Sequence, residues 1–484
     1  MPPSTPPRRR RAPVLPLALA LLATGCAGGS LRQAEIALPT TYEAQPPVAP
    51  HDAAALDRWW RLFDDPQLTA MIERALASAP DARAALAVLD EARANRRQAL
   101  SRYDPQGGFS GSATYQQSRI EGLPTSGGTG ALLNAGETTT YSGGFSPSWE
   151  IGWFGRRGAL RSSSEADLDA ARFSYEASRQ SLATGVASAL FEARGLAVQA
   201  SEARDSERVA RDLAAIGARR VDAGIAAPVD ALTLQSDLAS AVATRTQREA
   251  QLAGAKRTLL VLIGRGVDRL DTLEIEPRLG AAPAIPPTTP GALLQRRPDV
   301  REAEARVRAA SGALRLDQLA LFPSFTLNPS ATSTRISGDN GYRTNAWSLG
   351  ANLLLPILDR PRLLAEIRAE RARGEQAVIA YEKAVQTAYG EAESRLTTYM
   401  ADRARLVQLG IAEASARDAF AMQRRGYAAG IVDLTTLLTA ERTWRSARTQ
   451  VSQSQATTLA DAVDVFRALG GGWSDSAATI RAPS

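Results

Sequence analysis

The 484 residues hold one cysteine, Cys26, one histidine, His51, and only four methionines. A single thiol excludes a disulfide framework, and one imidazole removes the commonest donor for zinc and for general acid–base work. The carboxylates are scattered rather than clustered, so no enzyme is expected. Aromatics make up 6% of the chain and are not interleaved with a basic stripe, which argues against a nucleic-acid partner. Long apolar runs are missing too: Val14 to Ala23 is far shorter than the ~20 residues of a membrane-spanning helix. Proline is absent between Pro147 and Pro228, and again from Arg362 to Gln423.

Those two proline-free windows organise the chain. From Gly155 to Gly217, Leu168, Tyr175, Leu182, Ala189, Leu196, Ala203 and Ala210 recur every seventh position among helix formers, which predicts one helix of about sixty residues, roughly 90 Å long. Its partner, Arg362 to Gln423, repeats Val378, Val385, Ala392, Tyr399 and Leu406 at the same spacing. The two are copies. Tyr175-Glu176 matches Tyr381-Glu382 and Ala223-Gly224-Ile225 matches Ala429-Gly430-Ile431 at an offset of 206, whereas Pro80-Asp81 matches Pro298-Asp299 at 218. The chain is thus a duplicated unit, and the first copy carries a twelve-residue insertion between Pro105 and about Ser142. Returning helices at about 229–263 and 433–468 follow turns at 217–228 and 425–432.

Residues 1–25 read as a signal peptide, with Arg8 to Arg11 as the positive region and Val14 to Ala23 as the apolar one. It ends at Ala23-Thr24-Gly25-Cys26, similar to the lipobox of bacterial lipoproteins, which makes Cys26 the expected lipidation site and a covalent lipid the only non-protein group; no metal or other cofactor is expected. Removing the four arginines lowers the formal charge from +6 to +2. Residues 26–56 form a lipidated arm rich in Pro and Thr, with His51 as a solvated residue. Trp59-Trp60-Arg61-Leu62-Phe63-Asp64-Asp65-Pro66 opens the body, with Asp64 or Asp65 as N-cap and short helices at about 66–78 and 81–103. The first repeat spans 57–280, with a hairpin at about 106–151 and a helix pair at about 155–263. The second spans 281–470, with a hairpin at about 324–357 and a helix pair at about 361–468. Residues 471–484 form a flexible tail.

Within the hairpins the period changes to two. Phe109, Gly111, Ala113 and Tyr115 alternate with Ser110, Ser112, Thr114 and Gln116, and Phe145, Trp149 and Ile151 with Ser146, Ser148 and Glu150. Phe325, Leu327, Pro329 and Ala331 alternate with Ser324, Thr326, Asn328 and Ser330, and Trp347, Leu349, Ala351 and Leu353 with Ser348, Gly350 and Asn352. One apolar face and one hydroxyl-rich face over about ten residues is the pattern of transmembrane strands with lipid outside and water inside. Four strands cannot close a barrel. An open edge would leave backbone groups facing hydrocarbon at several kcal/mol each, so the edges must pair between chains, with eight, twelve or sixteen strands in total.

In order along this frame stand the opening at Trp59 to Leu68, Ser148-Trp149-Glu150-Ile151 with Phe154-Gly155-Arg156, Arg296-Arg297-Pro298-Asp299-Val300-Arg301, Phe322-Pro323, the two Ala-Gly-Ile turns and Leu469-Gly470-Gly471-Gly472-Trp473. Together they resemble the outer-membrane factor family, the TolC-like exit ducts of tripartite efflux pumps, and specifically its lipoprotein branch. The resemblance implies a mostly α chain with a transmembrane β-barrel, closed with twelve strands by a homotrimer and continued by a periplasmic α-helical barrel. It implies a periplasmic adaptor, an inner-membrane pump and outer-membrane lipid as partners, and a lipid-anchored location in the outer membrane of a Gram-negative bacterium. It also implies a gate and an adaptor contact at the turns farthest from the membrane. Matching positions are Arg219, Arg220, Asp222, Asp230, Arg424, Arg425, Tyr427 and Asp433 for the gate, and Gly224, Ile225, Gly430 and Ile431 for the adaptor. Where family members carry an aspartate six residues after Asp433, this chain has Thr439. The alternative roles are the outer-membrane component of a protein-secretion system and a structural periplasmic coiled-coil lipoprotein, which would need no alternating strands. The exported substrate is not legible.

Overall fold

A computed structural model describes residues 30–44, 56–117, 137–286, 288–338 and 341–473. Cys26, His51, most of the expected tail and the connection 118–136 lie outside the described residues.

The elements run α1 (Pro66–Ser78), α2 (Pro80–Ser101), β1 (Phe109–Gln117), β2 (Glu137–Phe145), β3 (Trp149–Ile151), α3 (Arg156–Asp222), α4 (Pro228–Leu262), α5 (Leu293–Arg296), α6 (Pro298–Leu319), β4 (Ser324–Ser337), β5 (Tyr342–Leu354), α7 (Arg360–Ala428) and α8 (Leu434–Ala468). Proline stands at the first position of α1, α2, α4 and α6, where its missing N–H is not needed. Asp65, not Asp64, caps α1, accepting the Leu68 N–H at 3.0 Å, while Asp64 takes a left-handed conformation. The duplication is visible in the element order. Its unequal loop is also located: β1 and β2 are joined by residues 118–136, β4 and β5 by 338–341.

The long helices are longer than expected, 67 and 69 residues. Gly217, expected in the first turn, lies inside α3, where glycine leaves room for the Leu234 side chain: an added Cβ would stand 2.3 Å from Leu234 Cδ1. Arg425, Gly426 and Tyr427 likewise belong to the last turn of α7, and the true turns shrink to 223–227 and 429–433. No helix among the described residues is long and apolar enough to cross a membrane.

By contacts the chain forms two units, each drawing on both repeats. Among the described residues, one holds 30–33, 91–117, 137–169, 305–338 and 341–379, and its centre is an antiparallel sheet of order β1-β2-β4-β5. β3 continues β2 on the same partner in the same register; the ladder stops between them because Pro147 falls opposite Pro329, so neither strand has an N–H to offer there. The five segments therefore amount to four strands. The lumen-type face is tied by hydroxyls, Ser112 to Ser142 at 2.7 Å and Ser330 to Ser348 at 2.8 Å. Where the strands meet the helices, Trp153 stacks on Phe325, and the Arg156 guanidinium donates to the carbonyls of Leu319 and Phe322. The α3 and α6 backbones approach so closely that a Cβ on Gly312 would sit 2.8 Å from Ser163.

The other unit holds, among the described residues, 34–44, 56–90, 170–286, 288–304 and 380–473. One of its cores gathers Trp59, Ile72, Val186, Leu190, Leu259, Leu260 and Phe466. A second packs Tyr42 and Val300 against Val385, Leu396, Tyr399 and Val465. Here the Arg-Arg-Pro-Asp motif acquires a structural role. Arg297 is buried, and its guanidinium meets Asp299 at 2.7 Å and Glu391 at 2.8 Å and donates to the Ala468 carbonyl at 3.3 Å, the last of α8. Burial works against its charge, but Asp299 and Glu391 more than offset this and hold it protonated. Trp473 Nε1 donates to the Arg296 carbonyl at 2.7 Å and Gln180 Nε2 to the Gly471 carbonyl at 2.7 Å, so Gly471 to Trp473, expected in the flexible tail, are buried against this turn and the tail begins later.

Candidate functional site

The residues expected at the gate and adaptor contact gather at the two helix turns. Both turns are built alike. Gly224 and Gly430 adopt positive φ (71° and 76°), Ile225 N–H donates to the Arg220 carbonyl at 2.8 Å, and Ile431 N–H donates to the Gly426 carbonyl at 2.9 Å. This six-to-one bond defines a Schellman cap, which requires a left-handed residue and so selects glycine. In such caps the residue after glycine commonly packs back on its own helix; here Ile225 and Ile431 are 68% and 83% exposed, and nothing stands within 4 Å of a Cβ built on either glycine. Two isoleucines and two bare glycines thus present backbone and apolar surface together.

Beneath the turns lies a small core of Leu213, Leu234, Phe420, Tyr427, Leu437 and Leu438, with Trp444 stacked on Phe420 at 5.2 Å. Tyr427 is buried in it, and the Arg220 guanidinium lies over its ring, 4.8 Å from the centroid. A helix from each repeat is thereby joined at its end by a cation–π contact. One turn further along α4 and α8, a buried charged group follows: Glu441 pairs with Arg445, whose guanidinium also stands 3.6 Å from Asp237. Burial pushes the Glu441 carboxyl above its usual range, against the pull of Arg445.

The remaining expected residues are placed differently. Arg219 Nε donates to the Ala215 carbonyl at 3.2 Å and Arg425 Nε to the Ala421 carbonyl at 3.3 Å, the same local bond in both copies, where the charge complements the C-terminal helix dipole. Asp433 caps α8, accepting the Thr436 N–H at 2.8 Å and its hydroxyl at 2.7 Å, and these bonds hold its carboxyl below the ordinary range. Asp222, Asp230 and Arg424 make no ion pair within the chain among the described residues. The structure therefore brings Arg220 and Tyr427 together but does not join Arg425 to Asp433 within one chain. Sequence reasoning missed Asp237, Glu441 and Arg445. Their signal was a pair of acids at interior positions of two returning helices.

A sheet with a hydroxyl face and an apolar face, carried on duplicated helices of this length with matching Schellman turns, defines an outer-membrane channel of the efflux type. Residues 71–265 and 289–471 match the outer membrane efflux protein family, and the chain belongs to it. It is 32% identical over 432 residues to the pyoverdine export outer membrane protein OpmQ of Pseudomonas aeruginosa, covering 87% of this chain and 89% of that protein. It is 27% identical to the probable outer membrane lipoprotein SilC of Salmonella typhimurium, covering 87% and 89%. Among solved structures, the outer-membrane channel OprN superposes with a TM-score of 0.73 at 26% identity, covering 91% of this chain and 99% of that one. The Campylobacter jejuni CmeC outer membrane channel, at 19% identity, shares the fold with a TM-score of 0.80 over 93% and 95% of the two chains.

Proposed function

We propose that three copies of this outer-membrane efflux channel close one barrel and form the passive exit duct of a tripartite system. In it, the turns meet a periplasmic adaptor and the driving force comes from an inner-membrane pump. The carrying observation is the sheet order β1-β2-β4-β5, antiparallel throughout, with one edge of β1 and one edge of β5 unpaired among the described residues. With an even number of strands, β5 of one copy runs antiparallel to β1 of the next, so the edges can pair without reversal. Leaving them open in hydrocarbon would cost several kcal/mol per backbone group. The names of OpmQ and SilC favour a small-molecule exporter and a lipid on Cys26 over a secretion component. The chain carries the solute and performs no chemistry on it.

The exposed Ile225 and Ile431 at bare Gly224 and Gly430 are the adaptor surface in this reading. Arg219, Arg220, Asp222, Asp230, Arg424, Arg425, Tyr427 and Asp433 crowd the ends of the helices, where charges left without partners inside one chain can link neighbouring copies. Exposed links of this kind are each worth about 1 kcal/mol or less, so removing a pair should loosen closure rather than abolish it. Asp433→Ala combined with Arg425→Ala is expected to raise single-channel conductance in a planar bilayer. Conductance equal to that of the parent protein would place the gate elsewhere, and a mass in detergent corresponding to a monomer or dimer would refute the trimer.

A further inference from the structure

The apolar face of the sheet can be followed strand by strand away from the helices. Across β4 and β5, Phe325 lies opposite Leu353, Leu327 opposite Ala351, Pro329 opposite Leu349 and Ala331 opposite Trp347. After the polar pair Ser333 and Asn345, the same face ends in Arg335 directly opposite Arg343, with Tyr141 of β2 on the other side of Arg335. Like charges facing each other across a ladder repel, so this pair works against the hairpin unless something neutralises it.

The described part of the chain supplies nothing that does. Both arginines are exposed, and neither side chain makes an ion pair or hydrogen bond with another described residue. On that face β2 brings Thr139, Tyr141 and Gly143 beside them. Its one carboxylate there, Glu137, stands at the outer end opposite Gln117 of β1. β1 itself, the strand a neighbouring copy would lay against β5, contains no acid.

Position identifies the missing anion. Ten residues separate Phe325 from Arg335, about 33 Å along the strand and about 25 Å along the membrane normal at the usual tilt, which is the height of the apolar band of an outer-membrane barrel. The end joined to the helices faces the periplasm, so the arginines stand at the headgroups of the outer leaflet, with Trp347 and Leu349 beneath them at the level of the acyl chains. We propose that Arg335 and Arg343, flanked by Tyr141, bind a phosphate of the lipopolysaccharide glycolipid that makes up that leaflet. The planar guanidinium matches phosphate oxygens two at a time, and one phosphate held between the two side chains converts their repulsion into a shared contact across β4 and β5.

The test is binding of a short-chain lipopolysaccharide, reduced to its lipid A and inner sugars, to delipidated full-length protein in detergent, read by native mass spectrometry and by the shift in unfolding temperature. The parent protein is expected to bind and to be stabilised. Each of Arg335→Gln and Arg343→Gln should weaken binding about tenfold, the worth of one charged hydrogen-bonding group. Dephosphorylated glycolipid should bind the parent no better than the intact glycolipid binds the double variant Arg335→Gln, Arg343→Gln. Equal binding by parent and double variant overturns the proposal, as does equal competition by phosphatidylglycerol or inorganic phosphate, which would mark a general anion surface. Unchanged conductance in planar bilayers is the control for folding. If the glutamine variants fail to insert, the double lysine variant keeps the charge without the planar fork. It should bind several-fold more weakly, and binding equal to the parent overturns the assignment.

Discussion

Replacing Arg297 by methionine tests whether its buried guanidinium holds the short helices to α7 and α8. The side chain keeps its volume but loses Asp299, Glu391 and the terminal carbonyl of α8 at Ala468. Removing one member of a buried pair costs about 3–5 kcal/mol. Here Glu391 retains Arg467 at 2.8 Å and Asp299 is half exposed, so the remaining charges are partly compensated and about 2–3 kcal/mol is expected. Because the loss is local, it should appear in hydrogen exchange: amides of α6 near Val300 and the last turn of α8 should exchange on the order of 100-fold faster, with amides of α4 unchanged. Arg297→Met combined with Glu391→Met should recover no protection, because Glu391 is still paired with Arg467 in the single variant and its loss leaves that guanidinium only Asp464 at 3.9 Å. Unaltered exchange in the single variant would show that packing, not the charge, holds this junction.

At the helix ends, Tyr427→Ala removes a ring from the small core and should cost about 3 kcal/mol locally, whereas Arg220→Ala removes only the cation–π contact, about 0.5–1 kcal/mol. Equal acceleration of exchange at Gly430 and Ile431 in the two variants would contradict this ranking. Asp461 is pushed up from 3.8 to about 6, chiefly by burial and then by the hydrogen bond and charge of Asp402, with Asp464 adding to the rise and Arg395 opposing it. A raised carboxyl contributes stability that is full below about pH 4 and lost as pH rises through about 6. Asp461→Asn should therefore flatten the melting profile between those values and stabilise the protein at pH 8 by about 1–2 kcal/mol, a figure discounted for partial exposure; a profile parallel to the parent's would refute it. Cys26→Ser should abolish incorporation of labelled palmitate while trimers still reach the outer membrane, and continued labelling would show that the lipid sits elsewhere.

Periodicity alone determined much of this protein. The heptads from Leu168 to Ala210 and from Val378 to Leu406 could only be long helices, because no proline interrupts them. The alternation from Phe325 to Ala331 could only be a strand with two unlike faces. The duplication, and the loop that differs between its copies, followed from matched residues at two offsets. Helix ends were less legible. Gly217 looks like a terminator in sequence but is a packing glycine inside α3, its missing side chain making room for Leu234, seventeen residues on and across the turn. Charge partners were not legible at all. Arg297 finds Glu391, Arg220 finds Tyr427 and Arg335 faces Arg343 through packing and register between distant segments. A local pattern sets which face a side chain takes, but only the tertiary structure decides what stands opposite it.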